Sequence, residues 1–178
     1  MQDPHDGFKD QLVELLPRLW RFGYSLTRSK DVSEDLVQAT CERALTRRHQ
    51  WQPGSRLDRW VFSIMHSIWK NDLRARRVRV GNGEVDPETA LSDDGSHTME
   101  VRLRTQEVAK AIETLPEEQQ SALFLVYVEG HSYREAADIL EIPLGTVMSR
   151  LSRARLSLAD RVERPAKGVG HTFQVAPG

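Results

Sequence analysis

Apolar residues recur at intervals of three and four over most of this chain, and this periodicity constrains the fold more than any other feature. No segment shows sustained alternation of apolar and polar residues, which would indicate a half-buried strand. We therefore predict an all-α fold. Pro17 interrupts the first helical segment and predicts either a kink or the first turn of a second helix. The apolar positions of that segment are Phe8, Leu12, Leu15, Leu16, Leu19, Phe22 and Leu26.

A composition change in the middle of the chain predicts two domains. Residues 81–100 contain six acids and no base, together with glycines and a proline, and they lack apolar periodicity. Such a composition is typical of a flexible linker. The prediction is two small helical domains, residues 1–80 and 101–162, joined by this acidic linker. The glycine- and proline-containing tail, 163–178, is predicted to be disordered.

The net charge of −1 hides an uneven distribution along the chain. Residues 1–80 contain 15 basic and 10 acidic residues, and residues 150–167 contain six basic and two acidic residues. Two basic zones around an acidic strip indicate a polyanionic partner. A solvated basic face without a partner is the ordinary alternative.

The composition also predicts a compartment. A content of 39% hydrophobic and 29% charged residues is typical of a soluble globular protein. We find no run of about 18 apolar residues that would predict a transmembrane helix, and the acidic start, MQDPHDGFKD, is unlike a secretory signal peptide. The one cysteine, Cys41, cannot form an internal disulfide. A reducing cytoplasm is therefore the expected location.

Three local patterns predict where helices begin and end. Asp31 and Glu34 have the spacing of a capping box, and so do Ser132 and Glu135. Gly130 follows the apolar stretch EEQQSALFLVYVE, where a left-handed residue commonly ends a helix. We expect helix starts near residues 31 and 132, and a helix end at residue 130.

Two short segments after Gly130 have the pattern of a helix-turn-helix. SYREAADIL is followed by a short break, EIPLG, and then by the basic segment TVMSRLSRARLSL. Two helices joined by a tight turn are typical of DNA-binding domains that place the second helix in the major groove. At 100° per residue the second helix has one apolar stripe. Its members are Val147, Leu151, Ala154 and Leu158.

The remaining faces of that second helix carry hydroxyl and guanidinium groups. Short hydroxyl side chains permit a close approach of DNA, and arginines can donate to guanine or to phosphate. Arg153 and Ser149 are the best candidates for base edges, whereas Arg150 is suited to a phosphate contact or to packing. A solvated surface helix remains the alternative. The candidate residues are Thr146, Ser149, Arg150, Ser152, Arg153 and Arg155.

Catalytic and metal-binding patterns are missing from the sequence. Its six histidines and one cysteine contain no HExxH or CxxC spacing, and no glycine-rich phosphate loop occurs. Cys41 lies on the apolar side of its helical segment, where packing is a better explanation than nucleophilic chemistry. We predict that the protein is not an enzyme and that it has no cofactor and no metal.

Three blocks of the sequence resemble the extracytoplasmic-function (ECF) sigma factors of bacterial RNA polymerase, in the sigma-70 family. DVSEDLVQATCERAL is similar to the part of region 2 that binds the polymerase clamp. RLDRWVFSIMHSIWKNDLRARR is similar to the promoter-melting segment, and LPEEQQSALFLVYVEGHSYREAADILEIPLGTVMSRLSRAR is similar to region 4. The resemblance implies an alternative sigma factor, used in a stress or environmental response. It would bind core polymerase, melt a −10 element with region 2 and recognise a −35 element with region 4.

The resemblance also implies roles for residues of the first two blocks. Asp35, Gln38 and Glu42 would form the polar ridge that binds the clamp, although without the resemblance a solvated face explains them better. Ser67 occupies a position where relatives commonly have Asn, so the base specificity of relatives does not transfer. Trp60 belongs to the apolar stripe and is interpreted as structural. The candidates for −10 binding and melting are Trp51, Arg56, Arg59, Phe62, His66, Ser67, Trp69, Lys70, Arg74, Arg76 and Arg77.

Further partners follow from the same resemblance. Family members are commonly held inactive by an anti-sigma protein, so we expect such a partner and no membrane insertion. The acidic linker would occupy polymerase channels that otherwise hold nucleic acid, although an ordinary spacer explains the same composition. The rival interpretations are a stand-alone helix-turn-helix regulator and a sigma-like decoy for an anti-sigma protein. A stand-alone regulator leaves EDLVQ and the basic aromatic helix without a purpose, and a decoy does not need Arg153.

Overall fold

A computed structural model of the protein describes residues 7–80 and 108–163, and these residues form helices, turns and no strand. We call residues 7–80 the N-terminal domain and residues 108–163 the C-terminal domain. The predicted linker and tail lie outside the described residues, apart from the last described residue, 163. The helices are α1 Phe8–Thr27, α2 Lys30–Thr46, a 3-10 turn Arg48–Gln50, α3 Leu57–Val80, α4 at 108–113, α5 Glu117–Leu123, a π-helical turn Phe124–Val128, α6 Tyr133–Leu140 and α7 Leu144–Glu163.

Helix α1 runs without interruption through Pro17. Of the two alternatives predicted for Pro17, the start of a second helix is therefore wrong, because one amphipathic helix spans the whole segment. Its ends lie at Gly7 and Arg28, which both adopt left-handed backbone angles. The helix buries Phe8, Leu12, Leu15, Leu19, Phe22, Gly23 and Leu26.

The start of α2 differs from the sequence prediction. The capping residue is Ser29, whose hydroxyl accepts a hydrogen bond from the Val32 amide at 3.5 Å, and the helix begins at Lys30. Asp31 lies in the first helical turn and is not the cap. A carboxylate there still interacts favourably with the positive end of the helix dipole. The predicted Asp31–Glu34 capping box is thus wrong, and the cap lies two residues before Asp31.

The core of the N-terminal domain is aromatic. Phe22 of α1 meets Phe62 of α3 edge to face, with ring centroids 5.2 Å apart. Phe8 packs against Trp51 at 5.5 Å, which anchors the loop between α2 and α3. Each of these four side chains is at most 6% exposed. Burying such rings contributes a large share of the free energy that stabilises a small helical domain.

The C-terminal domain confirms both helix-end predictions made for it. Gly130 has a φ of 72° and ends the apolar stretch, whose last turn is π-helical. Ser132 then caps α6: its hydroxyl accepts from the Glu135 amide at 3.2 Å, while the Glu135 carboxylate accepts from the Ser132 amide at 2.8 Å. A tight turn through Glu141 leads to α7. The helix-turn-helix predicted from the sequence is therefore present.

The two domains pack against each other through α1 with α5 and through α3 with α6. Phe22 lies 5.4 Å from Phe124, and Phe62 lies 5.6 Å from His131, centroid to centroid. The buried residues of both domains belong to one hydrophobic cluster. This packing decides which of the predicted binding surfaces are accessible.

Candidate nucleic-acid interface

Helix α7 presents the face that its sequence predicts. Val147, Leu151 and Ala154 are fully buried against the C-terminal domain, and Leu158 is partly buried beside them. The opposite side is open, with Ser149, Ser152, Arg153 and Arg155 exposed and Thr146 half-buried. Arg153 forms no ion pair with a described residue. Its guanidinium is available to an external acceptor.

Two arginines at the margins of that face have neighbours. Arg150 donates to the Glu118 carboxylate at 2.8 Å, and its side chain is 17% exposed. Arg155 lies beside Tyr127, whose pKa is raised mainly by a hydrogen bond with Tyr133 and is lowered in part by Arg155. These contacts hold both side chains at the edges of the face.

Helix α3 and the residues before it carry a second basic surface, and it faces the C-terminal domain. Arg56 contacts Glu135 at 2.8 Å and Asp58 at 2.7 Å. Arg59 contacts Asp138 at 2.9 Å.

Lys70, further along α3, contacts Glu141 at 3.0 Å. Three of the cations predicted to hold single-stranded DNA are therefore already paired with carboxylates of α6 or of the turn that follows it.

The far end of α3 is less engaged. Arg74 is exposed, and Arg76 pairs with Asp72 at 2.8 Å while its guanidinium lies over the Trp69 ring, 5.6 Å from the centroid. Arg77 belongs to α3, but its side chain lies outside the described residues. This end of the helix remains the accessible part of the predicted −10 surface.

The three aromatic residues predicted to trap an extruded base are buried. Phe62 is fully buried against Phe22, and Trp51 is 6% exposed and packs on Phe8. Stacking a base on either ring would require opening the core of the domain, so neither ring is accessible to DNA in this conformation. Trp69 is also 6% exposed, and its indole N–H donates to Glu117 of α5.

His66 and Ser67 are half-buried on α3. The Nδ1 atom of His66 is buried without a hydrogen-bond partner among the described residues. Burial lowers the pKa of His66 to about 4, and the charges of Lys70 and Arg150 act in the same direction, while Glu141 opposes them. The ring is therefore neutral near pH 7.

The polar ridge of α2 is fully accessible. Asp35, Gln38 and Glu42 are all exposed, and the Gln38 amide donates to the Glu42 carboxylate at 3.0 Å. The opposite side of the helix buries Leu36 and Ala44. An acidic, hydrogen-bonding ridge on a fixed helix suits a basic partner surface. Cys41 is partly buried beside it, and burial raises the pKa of its thiol, as expected for a packing residue.

The carboxylates that cover α3 were not predicted from the sequence. Glu135, Asp138 and Glu141 are spaced three residues apart, so they lie in one row along α6 and the turn after it. The three-residue spacing is visible in the sequence, but it is also that of an ordinary solvated face. Only the packing of the two domains shows which surface the row meets.

No group of histidine, cysteine or acidic side chains in the described ranges has the arrangement of a metal site. Among the same residues, none of the helices combines the length and the apolar character needed to cross a membrane. The surfaces that remain as candidate sites are therefore the α7 face, the α3 face and the α2 ridge.

Two family models match parts of the chain. The model for sigma-70 region 4 matches residues 105–158, which include the helix-turn-helix. The model for the sigma2 domain of PhyR matches residues 12–66, which include most of α1, all of α2 and the first part of α3. The two matches correspond to the two domains of the fold.

Individual relatives match most of the chain. The ECF RNA polymerase sigma factor EcfG of Rhodopseudomonas palustris is 36% identical over 154 residues, which is 86% of this chain and 84% of the relative. The sigma factor RpoE of Bartonella quintana, solved in complex with the anti-sigma factor NepR, is 32% identical, with a TM-score of 0.74 over 88% of this chain and 96% of that one. The PhyRSL–NepR complex of Sphingomonas sp. Fr1 shares the fold, at 22% identity and a TM-score of 0.63, over 93% of this chain and 98% of that one.

Proposed function

We propose three binding surfaces for transcription initiation, because this chain belongs to the extracytoplasmic-function sigma factors of RNA polymerase and is thus an alternative sigma factor. The α2 ridge binds core polymerase, the α3 face engages the −10 element, and the α7 face reads the −35 element. The observation that carries this proposal is the open face of α7, which combines exposed hydroxyls with Arg153, a side chain that forms no ion pair with a described residue.

The α7 face is suited to duplex DNA. Helix-turn-helix proteins place the second helix in the major groove, where its exposed residues reach base edges. Arg153 is the candidate for a bidentate contact with guanine, and Ser149 and Ser152 are short enough to let the DNA approach. Arg150 and Arg155, held at the margins, are suited to flanking phosphates.

The α2 ridge is suited to a basic surface on the polymerase clamp. Asp35 and Glu42 supply negative charge, and Gln38 supplies hydrogen bonds between them. Binding to polymerase makes the two DNA contacts effectively intramolecular, which raises the overall affinity by about 10²–10⁴. This explains why neither domain has the large positive charge of a stand-alone DNA-binding protein.

An anti-sigma protein is the proposed inhibitory partner, since the similar sigma factor of Bartonella quintana was solved with one. We expect the protein to act in the cytoplasm, where core polymerase and promoter DNA are found, and to perform no catalytic chemistry itself. A stand-alone regulator is the weaker candidate, because it gives no role to the exposed ridge of α2.

Transcription in vitro tests this function. Genomic fragments from the source bacterium are transcribed by its core polymerase with and without the purified protein. We expect new transcripts whose upstream regions share two motifs. Tight binding to duplex DNA without polymerase, and no new transcripts with it, would instead identify a stand-alone regulator.

Variants of the ridge test the polymerase contact separately. The double substitution Asp35→Asn and Glu42→Gln should weaken binding to core polymerase without lowering the melting temperature. Glu14→Gln, at an exposed position of α1, is the control for loss of an acid in the same domain. Equal core binding by the ridge variant and the control would refute the proposed role of the ridge.

A further inference from the structure

The ion pairs between the two domains all have the same polarity. Within the described ranges, every cation of these pairs belongs to the N-terminal domain and every carboxylate belongs to the C-terminal domain. The pairs are Arg18 and Arg21 with Glu129, Arg56 and Arg59 with Glu135, Arg59 with Asp138, and Lys70 with Glu141. The C-terminal domain therefore presents an anionic row to a cationic surface.

Part of this cationic surface is the one proposed for the −10 element. Arg59 Nη2 lies 2.9 Å from Asp138 Oδ2, and Lys70 Nζ lies 3.0 Å from Glu141 Oε2. A carboxylate at this distance forms the same kind of charge-assisted hydrogen bond that a phosphate oxygen would form. The row of carboxylates and a DNA backbone therefore cannot occupy these cations at the same time.

The contact has the features of a reversible one. Asp138 and Glu141 have side-chain exposures of 60% and 58%, so water and salt reach the pairs and weaken them. His131 is 2% exposed against Phe62, and both of its ring nitrogens lack a hydrogen-bond partner among the described residues. An unpaired buried polar group disfavours the state that buries it. Burial of the His131 ring nitrogens thus destabilises the packed arrangement of the two domains, and separating the domains would remove this free-energy cost.

We propose that the carboxylates of α6 and of the turn after it act as an internal substitute for DNA, so that the free protein masks its own −10 surface. This inference rests on the proposed role of α3 in binding single-stranded DNA. The form in which the two domains pack against each other has little affinity for single-stranded DNA. The observed affinity is therefore low, because only a small fraction of the molecules have separated domains. Polymerase, by holding the domains apart, would free the cations where they are needed.

Binding of a fluorescein-labelled oligothymidine to the free protein at low ionic strength tests the masking. The double variant Asp138→Asn and Glu141→Gln keeps the shape of both side chains but removes their charge. We expect it to bind about three- to tenfold more tightly than the wild type, because two exposed ion pairs no longer compete. Equal affinity of the double variant and the wild type would overturn the proposal.

A matched variant separates masking from a general loss of negative charge. Glu113→Gln removes one acid from the same domain, at a half-buried side chain that forms no ion pair with a described residue. We expect its affinity for the oligothymidine to stay at the wild-type value, whereas Asp138→Asn alone raises the affinity. An equal gain in these two single variants would show long-range repulsion only and would overturn the proposal.

Carbodiimide cross-linking measures the contact without DNA. The reagent activates a carboxylate, and a touching amine then displaces the activating group and forms an amide. Lys70 and Glu141 are the lysine–acid pair across the described interface, so mass spectrometry of the free wild type should detect this linkage. Oligothymidine should suppress it, and Glu141→Gln should abolish it.

The outcomes separate this inference from the proposed function. No Lys70–Glu141 linkage in the free wild type would overturn the masking, even if the protein directs transcription. A linkage that oligothymidine suppresses would support the masking, and the transcription assay would still report independently on the sigma activity. A linkage that oligothymidine leaves unchanged would show that the strand binds elsewhere and would overturn the masking.

Discussion

The two basic helices of this protein, α3 and α7, are similar in sequence character but differ in what they face. Both have an apolar stripe on one side and arginines on the other. The basic side of α7 is open, with Arg153 unpaired within the described ranges, whereas the cations at the start and middle of α3 are paired with acids of the other domain. A basic helical face is therefore a binding surface only when no other part of the same chain covers it.

The variant with the largest expected effect tests whether Phe62 belongs to the core of the N-terminal domain or to the DNA-binding face of α3. Phe62→Ala should lower the free energy of unfolding by about 3–5 kcal/mol, because it leaves a cavity beside Phe22. Denaturant unfolding measures this change. Phe62→Leu, which keeps most of the volume, should cost much less. An unfolding free energy unchanged by Phe62→Ala, with promoter melting lost, would return Phe62 to the DNA surface.

The open face of α7 gives the next prediction. Arg153→Ala should cost about 1–3 kcal/mol of binding at a cognate −35 element and relax specificity at one base pair. Holoenzyme binding to a set of −35 variants measures both quantities. Leu156→Ala, at a side chain that is 70% exposed on the same helix, is the control. An equal loss on unrelated −35 sequences would make Arg153 a phosphate contact.

Acidification should weaken the packing around α3. The pKa of His66 is about 4 in the folded protein and about 6.5 when unfolded, so the unfolded state binds more protons between these values. The contribution of neutral His66 to the free energy of unfolding is therefore fully present above pH 6.5. It decreases as the pH drops, by up to about 2 kcal/mol at pH 5. Lys70 on α3 and Glu141 and Arg150 of the C-terminal domain are the charged groups that shift this pKa.

Unfolding at pH 7 and pH 5 of the wild type and of His66→Gln isolates this contribution. We expect the wild type to lose more stability than the variant. His131, whose pKa is also lowered by burial, acts in the same direction in both proteins and cancels in the comparison. Identical pH dependence of the two proteins would contradict the buried, neutral state of His66.

The prediction with the smallest expected effect compares the helix caps of the two domains. Ser132 takes part in a reciprocal capping box with hydrogen bonds of 3.2 and 2.8 Å, whereas Ser29 accepts a single bond of 3.5 Å. Ser132→Ala should therefore lower the free energy of unfolding by about 1 kcal/mol, and Ser29→Ala by less. Thermal unfolding of both variants measures the order. A larger loss for Ser29→Ala would contradict the cap geometry.

Most of the fold followed from the sequence, because helical periodicity depends on neighbours within one helix. The apolar stripe of α7 and the cap at Ser132 were predicted correctly, since both are set by residues within four positions of each other. The cap at Ser29 was missed because Asp31 and Glu34 have an equally good spacing. The backbone angles decide between such alternatives, and the pattern of residues does not contain them.

The candidate site was harder to predict, because its state depends on contacts between domains. Phe62 and Trp51 were assigned to DNA because aromatic rings near arginines suit base stacking, but their burial depends on Phe22 and Phe8 of another helix. Arg59 and Asp138 are 79 positions apart in sequence. No local pattern indicates that such residues meet.

The distance between the two domains in solution tests the central claim most directly. Spin labels at Val13→Cys and Leu156→Cys, two exposed positions, in a Cys41→Ala background report this distance by pulsed electron resonance. Two domains joined by a linker move freely unless their interface holds them. The account predicts one narrow, short distribution in the free protein and a longer one after core polymerase is added. A broad distribution in the free protein would contradict it.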